Sequence, residues 1–311
     1  MSESENEIVI ENPDILSIND LLIDLSSLEK SIYPLSSFEN LLNDNKALLM
    51  LNQKINLPKS AFDKLWNSSK IKVCADGGLN RLRNYDDSYI PDFVIGDLDS
   101  VTNSNLDYYK LKGTKIILQS SQYYTDFHKS ISLINSYFNI PNLILNIAND
   151  IDYLEIEEIK HINENKIQNN IDVIILGGVG GRFDQTMATI NQLYTFSISR
   201  PHLNLTIINP EHPEFIFLLK SGLNLINYPR LSNLKEIEIF GEEIEKSRPG
   251  LRNVGILPLL ENAIISTNGL KWDVTNWSTN IKSKMSSSNL QVGHEGFIIS
   301  TTNPLFITLE F

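Results

Sequence analysis

Asp172-Val173-Ile174-Ile175-Leu176-Gly177-Gly178-Val179-Gly180-Gly181-Arg182-Phe183-Asp184-Gln185 decides the fold class. Its apolar run, without polar alternation, is what a strand buried on both faces requires. The glycines behind it let the backbone turn sharply and approach a ligand closely. Phe183, Met187, Ile190, Tyr194 and Ile198 then recur at helical spacing and predict an amphipathic helix. Residues 203–208 read as the next buried strand. Strand, helix, strand is a βαβ unit, and such units build parallel sheets.

The same texture extends upstream. Residues 47–51, 71–74, 92–95 and 115–118 read as buried strands. Pro58 opens a helix running to Trp66, and Phe127, Ile131, Ile134 and Phe138 mark another. Beyond Pro210 the helical period stops. Short β-rich runs follow at 215–219, 223–228, 236–240, 263–266, 297–300 and 305–309, the pattern of an antiparallel sandwich. The expected fold is a parallel α/β (Rossmann-like) domain over residues 46–210, followed by a C-terminal antiparallel β-sandwich over 211–311. Residues 139–170, rich in Asn, Glu and Ile, read as a peripheral insertion with little to bury. Residues 1–45, acidic and rich in Ser and Asn, read as a mobile or loosely docked arm.

With 26 Lys+Arg against 38 Asp+Glu, the 311-residue chain carries a formal charge of −12. That balance argues against holding nucleic acid by counterion release. The single cysteine, Cys74, excludes an intrachain disulfide and closes an apolar run, so it reads as a small core residue. Eight acidic residues precede the first basic one, Lys30, which fits neither a secretory signal nor an Arg-rich transit peptide. No apolar run approaches the length of a membrane span. The expected location is the cytoplasm.

Four motifs follow strands, where open α/β sheets bind ligands. Ala75-Asp76-Gly77-Gly78-Leu79-Asn80-Arg81 offers close backbone approach and a helix N-terminus to an anion, or is a tight turn with Asp76 as a cap. In Gly96-Asp97-Leu98-Asp99-Ser100, an extended backbone would point Asp97 and Asp99 the same way, toward one Mg²⁺. Gln122-Tyr123-Tyr124-Thr125-Asp126-Phe127-His128-Lys129 reads equally as a capped helix with a surface ion pair, or as a third carboxylate with a phosphate-binding Lys129. His128 reads as structural. In the opening stretch, Gly180, Gly181 and Arg182 suit a polyphosphate, although no Gly-Lys-Ser/Thr follows. In the second domain, Trp272 is either core or a stacking face, and Ser286–Asn289 stands out as a polar run.

Taken in order with Leu49-Met50-Leu51-Asn52-Gln53 and Gly269-Leu270-Lys271-Trp272, these segments resemble the thiamine pyrophosphokinase family of the eukaryotic type. The resemblance covers roughly residues 46–311. It implies transfer of a pyrophosphoryl group from ATP to thiamine, giving thiamine diphosphate and AMP, and a homodimer with sites between subunits. It assigns Asp97, Asp99 and Asp126 to metal and catalysis, and Asp76, Gln122, Arg182, Asp184 and Gln185 to other polar positions of the active site. Together with the motif reading, the expected ATP and phosphate site is Asp76, Gly77, Gly78, Arg81, Gln122, Thr125, Lys129, Gly180, Gly181, Arg182, Asp184 and Gln185, with Arg182 also catalytic. Trp272, Ser286, Ser288 and Asn289 fall in the region of the thiamine pocket. In this reading thiamine's hydroxyl attacks the β-phosphorus, and one carboxylate, Asp126 by preference, takes the proton. Two other readings are a metal-dependent phosphohydrolase, which would not need a Trp-bearing second domain, and a non-catalytic sensor, which would not need the full aspartate set.

Overall fold

A computed structural model describes residues 7–14, 28–32, 34, 43–145, 153–167, 169–212, 214–228 and 252–310. The chain divides into two compact units, Asn40–Leu57 with Phe62–His212, and Met1–Glu39 with Pro58–Ala61 and Pro213–Phe311. Strands β1 (Ile8–Glu11) and β2 (Leu28–Ile32) come first. Then follow β3 (Asn43–Met50), α1 (Lys59–Ser68), β4 (Ser69–Ala75), α2 (Gly78–Tyr85), β5 (Phe93–Gly96), α3 (Asn103–Leu111) and β6 (Lys115–Leu118). The next elements are α4 (Asp126–Asn139), α5 (Pro141–Leu145), α6 (Tyr153–Asn163), β7 (Ile171–Leu176), α7 (Phe183–Ser199) and β8 (Leu203–Asn209).

In the first unit β8-β7-β3-β4-β5-β6 is the strand order, and every neighbouring pair is parallel. Ala47, Leu48, Leu49 and Met50 in central β3 are fully buried, so both faces of the sheet are covered. Each of the two leucines and the methionine contributes about 1.5–3 kcal/mol of burial free energy. The chain runs outward from β3 to β6, then returns to β7 and β8 on the other side of β3. That reversal puts the crevice for a ligand at the carboxyl end of β3.

The other unit holds β9 (Glu214–Leu219), β10 (Gly222–Asn227), β11 (Asn253–Leu257), β12 (Ala263–Asn268), β13 (Trp272–Thr275), β14 (Trp277–Thr279), β15 (Ser286–Leu290), β16 (Gly296–Thr301) and β17 (Leu305–Glu310). Strands β14-β12-β16-β10-β2 form one sheet, antiparallel except for the β10–β2 pair, and β15-β11-β17-β9 run antiparallel. Alternate residues such as Ala263, Ile265 and Thr267 point inward. The strand expected at 236–240 lies outside the described residues.

Three expectations are corrected. The segment read as a loose arm supplies β1, paired antiparallel with β13, and β2, paired parallel with β10. All four β1 residues are exposed, so main-chain pairing and ion pairs such as Glu7–Lys284 and Asp14–Lys271 hold it, which composition does not reveal. The segment read as a peripheral insertion supplies α6, whose Leu154, Glu155 and Glu158 are almost completely buried. Finally, α7 forms as expected, but of its expected stripe only Tyr194 is buried and Ile190 partly so. Thr189, Leu193, Tyr194 and Phe196 are buried, while Phe183 is 77% and Ile198 79% exposed. Periodicity identifies an apolar stripe, not what covers it.

Candidate active site

Three aspartates meet beyond the carboxyl ends of the strands. β4 ends at Ala75, and Asp76 takes a left-handed φ of 39°, turning the chain into α2 while its N–H reaches the Ile95 carbonyl at 2.9 Å. Asp97 follows β5. Asp126 is the first residue of α4, whose N-terminus is capped by Thr125 Oγ1 accepting from the His128 N–H at 3.1 Å. Asp76, Asp97 and Asp126 each place a carboxylate oxygen within 4.8 Å of the other two. Gly96 is the floor between them. A β-carbon there would lie 2.8 Å from Asp76 Cβ and 3.1 Å from Asp126 Oδ1, so any side chain would push the carboxylates apart.

Their environments differ. Burial pushes the Asp76 carboxyl above its usual range, and the charges of Asp97 and Asp99 add to the shift. Burial also raises Asp126, against the pull of Lys129 Nζ at 3.2 Å. Asp97 is held below the usual range, chiefly by the Gln122 amide donating at 2.9 Å. Asp76 Oδ1 is buried and has no hydrogen-bond partner among the described residues. A buried oxygen without a partner needs one, and an oxygen-only carboxylate set suits a hard divalent cation. The residues fit such a metal.

The carboxylates that converge are Asp76, Asp97 and Asp126, whereas the expected metal set was Asp97, Asp99 and Asp126. Leu98 has a φ of 63°, so the run is not the extended one expected, yet Asp99 stays beside Asp97, its N–H donating to Asp97 Oδ1 at 3.3 Å. Asp99 is exposed and accepts the Ser100 hydroxyl at 2.9 Å. Asp76, expected as a phosphate-site residue, stands in the cluster instead. Lys129, expected to meet a phosphate, is 2% exposed and pairs with Asp126. It reduces the repulsion within the cluster from beneath.

The remaining expected residues lie as follows. Gly177, Gly178, Gly180 and Gly181 all have positive φ, and the Gly178 N–H donates to Gln53 Oε1 at 3.1 Å, joining the loops after β7 and β3. At the start of α7, Arg182 forms a two-bonded pair with Asp184, at 3.1 and 2.5 Å. Both are exposed, as is Gln185, so this pair faces solvent. Thr125 Oγ1 donates to Gln192 of α7 at 3.0 Å. Arg81 Nε donates to Asn52 at 2.8 Å, and a β-carbon on Gly77 would collide with that Asn52. Gly78 packs so closely on the Met50 carbonyl that no side chain fits there. In the other unit, Asn289 Oδ1 accepts from the Trp272 N–H at 3.1 Å and its amide donates to the Trp272 carbonyl at 2.8 Å. Trp272 remains 40% exposed. Ser286 and Ser288 lie on strand β15 rather than in a loop, with Ser288 exposed. Sequence reasoning missed Asp273, buried beside Trp272. Its carboxylate accepts from Thr267 Oγ1 at 2.8 Å and from the Gly269 and Leu270 N–H groups at 2.9 and 3.1 Å, fixing the turn that carries the tryptophan.

Comparison with known proteins shows the family. The family model for the thiamin pyrophosphokinase catalytic domain matches residues 62–207, and that for the thiamin pyrophosphokinase vitamin B1 binding domain matches residues 242–306. The thiamine pyrophosphokinase of Saccharomyces cerevisiae is 35% identical over 98% of this chain and 97% of its own. The chain belongs to the thiamine pyrophosphokinase family. Among solved members of that family, the thiamin pyrophosphokinase from Candida albicans superposes with a TM-score of 0.84 at 36% identity, covering 98% of this chain and 99% of that one. The yeast thiamin pyrophosphokinase crystal structure gives 0.83 at 33% identity, covering 97% and 96%. No described helix is long and apolar enough to cross a membrane.

Proposed function

We propose that Asp76, Asp97 and Asp126 hold Mg²⁺ and that the surrounding loops present ATP to thiamine. The activity is that of a thiamine diphosphokinase, transferring the pyrophosphoryl group of ATP to the hydroxyl of thiamine with release of AMP. The carboxylate cluster with its unpartnered Asp76 oxygen carries the reading of the site. When bound, the metal supplies charge neutralisation for the polyphosphate. The chain's own residues do the positioning. The glycine loop's N–H groups and Arg182 receive the polyphosphate, for which Arg182 exchanges Asp184 as its partner. Asp126, its carboxyl raised by burial, takes the hydroxyl proton. The exposed Trp272 ring offers a face for thiamine's cationic ring. Gly77, Gly78, Arg81, Gln122, Thr125 and Gln185 shape the ATP side, and Ser286, Ser288 and Asn289 the thiamine side. The chain acts in the cytoplasm and pairs as a homodimer, the pairing supported by the exposed Phe183, Met187 and Ile198 of α7. Incubation with ATP, Mg²⁺ and thiamine should yield AMP and thiamine diphosphate in equal amounts. AMP or ADP formed without thiamine diphosphate would overturn the assignment.

A cation–aromatic contact is worth about 2 kcal/mol when desolvated, so Trp272→Ala should raise the KM for thiamine by roughly tenfold or more. The KM for ATP should stay within about twofold, since the ring touches only thiamine in this account. Equal losses for both substrates would make Trp272 a core residue.

A further inference from the structure

Helix α4 carries Asp126 at its first position, and its buried side is not purely apolar. His128, Ser132 and Asn135, spaced i, i+4 and i+7, form a polar stripe, with Ser132 and Asn135 fully buried. Facing it is an ion pair between Glu158 of α6 and Arg200, just beyond α7, whose side chains are 0% and 3% exposed. Arg200 Nε and Nη2 donate to the two Glu158 oxygens at 2.8 and 2.6 Å. Nη2 also reaches Ser132 Oγ and His128 Nε2, each at 3.3 Å. Asn135 completes the set, donating to Glu158 at 2.7 Å and meeting His202 Nε2 at 2.8 Å. The His128 ring is wedged between Tyr124 at 4.6 Å and Phe196 at 5.0 Å, centroid to centroid. His128 is also the residue whose N–H is capped by Thr125, one position before Asp126.

We infer that the buried Glu158–Arg200 pair is a positioning device for the active site, fixing the first turn of α4 through His128 and Ser132 and so the direction in which Asp126 points. The inference rests on the proposed role of Asp126. Polar burial of this kind is a poor source of stability, because desolvation offsets the ionic attraction, yet it is directional where an apolar contact is not. An apolar stripe would let α4 rotate or slide slightly. The fork of Arg200, locked by Glu158, defines one seating. The segment that looked like an insertion thereby supplies the counter-ion that orients a catalytic helix.

The test uses the full chain and first establishes thiamine diphosphate formation and its Mg²⁺ titration in the unaltered protein, so that failure of the functional reading is seen separately. The double variant Glu158→Gln/Arg200→Met removes both charges together and keeps the volume. It should melt cooperatively yet show kcat lowered and the Mg²⁺ concentration for half-activity raised, each by about three- to tenfold, as the loss of one charge-assisted hydrogen bond allows. The KM for thiamine should stay within about twofold. His128→Phe, which keeps the ring between Tyr124 and Phe196 and leaves the pair intact, should produce the same direction of change. If the double variant does not fold, His128→Phe decides alone. Unchanged kcat and Mg²⁺ dependence in the folded variants would overturn the inference and leave the pair a core element only.

Discussion

Asp97→Asn and Asp76→Asn should each lower turnover by about a thousandfold, the scale seen when a directed electrostatic partner of the reacting phosphates is lost. Neither should unfold the protein. Asp76 is buried among like charges, and its carboxyl is raised, first by that burial. A group whose folded pKa lies above its unfolded value favours the native state while protonated. That contribution is lost as pH rises from the unfolded value through the folded one. At neutral pH the ionised Asp76 therefore costs the metal-free protein stability, and asparagine removes the cost. The melting temperature of Asp76→Asn should accordingly exceed that of the parent by a margin that widens as pH rises through this window. Asp99→Asn, with a carboxylate outside the cluster, should lose only about ten- to a hundredfold in turnover. Equal activity in Asp97→Asn and the parent at limiting Mg²⁺ would dismantle the metal assignment.

The second large effect is on stability. Glu158→Ala removes the partner of an almost fully buried Arg200 and leaves an uncompensated charge, at a cost of about 3–5 kcal/mol. For a chain of this size the melting temperature should fall by roughly ten degrees. Burial alone would raise the Glu158 carboxyl, but the hydrogen bonds and charge of Arg200 outweigh it and hold it below the usual range. The stabilisation is thus present above the unfolded pKa and lost as pH falls through the folded one, so the gap between parent and variant should close in acid. A melting temperature unchanged at neutral pH would return α6 to the periphery.

What the sequence disclosed follows from how each feature is encoded. The parallel strands were legible because double-sided burial writes uninterrupted apolar runs, as in Ile171–Leu176. Strands β1 and β15 were not, since β1 offers only Ile8-Val9-Ile10 within an acidic, polar segment and β15 is a run of Ser and Asn ending in Leu290. The aspartates were legible as a group from their places after strands, but their membership depended on backbone angles. Leu98 takes a left-handed φ and Asp99 falls outside the three-carboxylate cluster, though still beside Asp97, while the left-handed φ of Asp76 accompanies its place inside it. No residue pattern announces either, because neither position is glycine. Glu158 was missed for a related reason. A glutamate in a polar segment reads as solvated until its arginine, distant in sequence, is seen beside it.

The central claim is that the site moves two phosphoryl groups together from ATP to thiamine. ATP labelled at the β-phosphorus, incubated with Mg²⁺ and thiamine, tests it directly. The account predicts label in thiamine diphosphate, with unlabelled AMP formed in step. Label retained in ADP would mean transfer of a single phosphoryl group, and label in free phosphate or pyrophosphate without a thiamine product would mean hydrolysis. Either result would contradict the account.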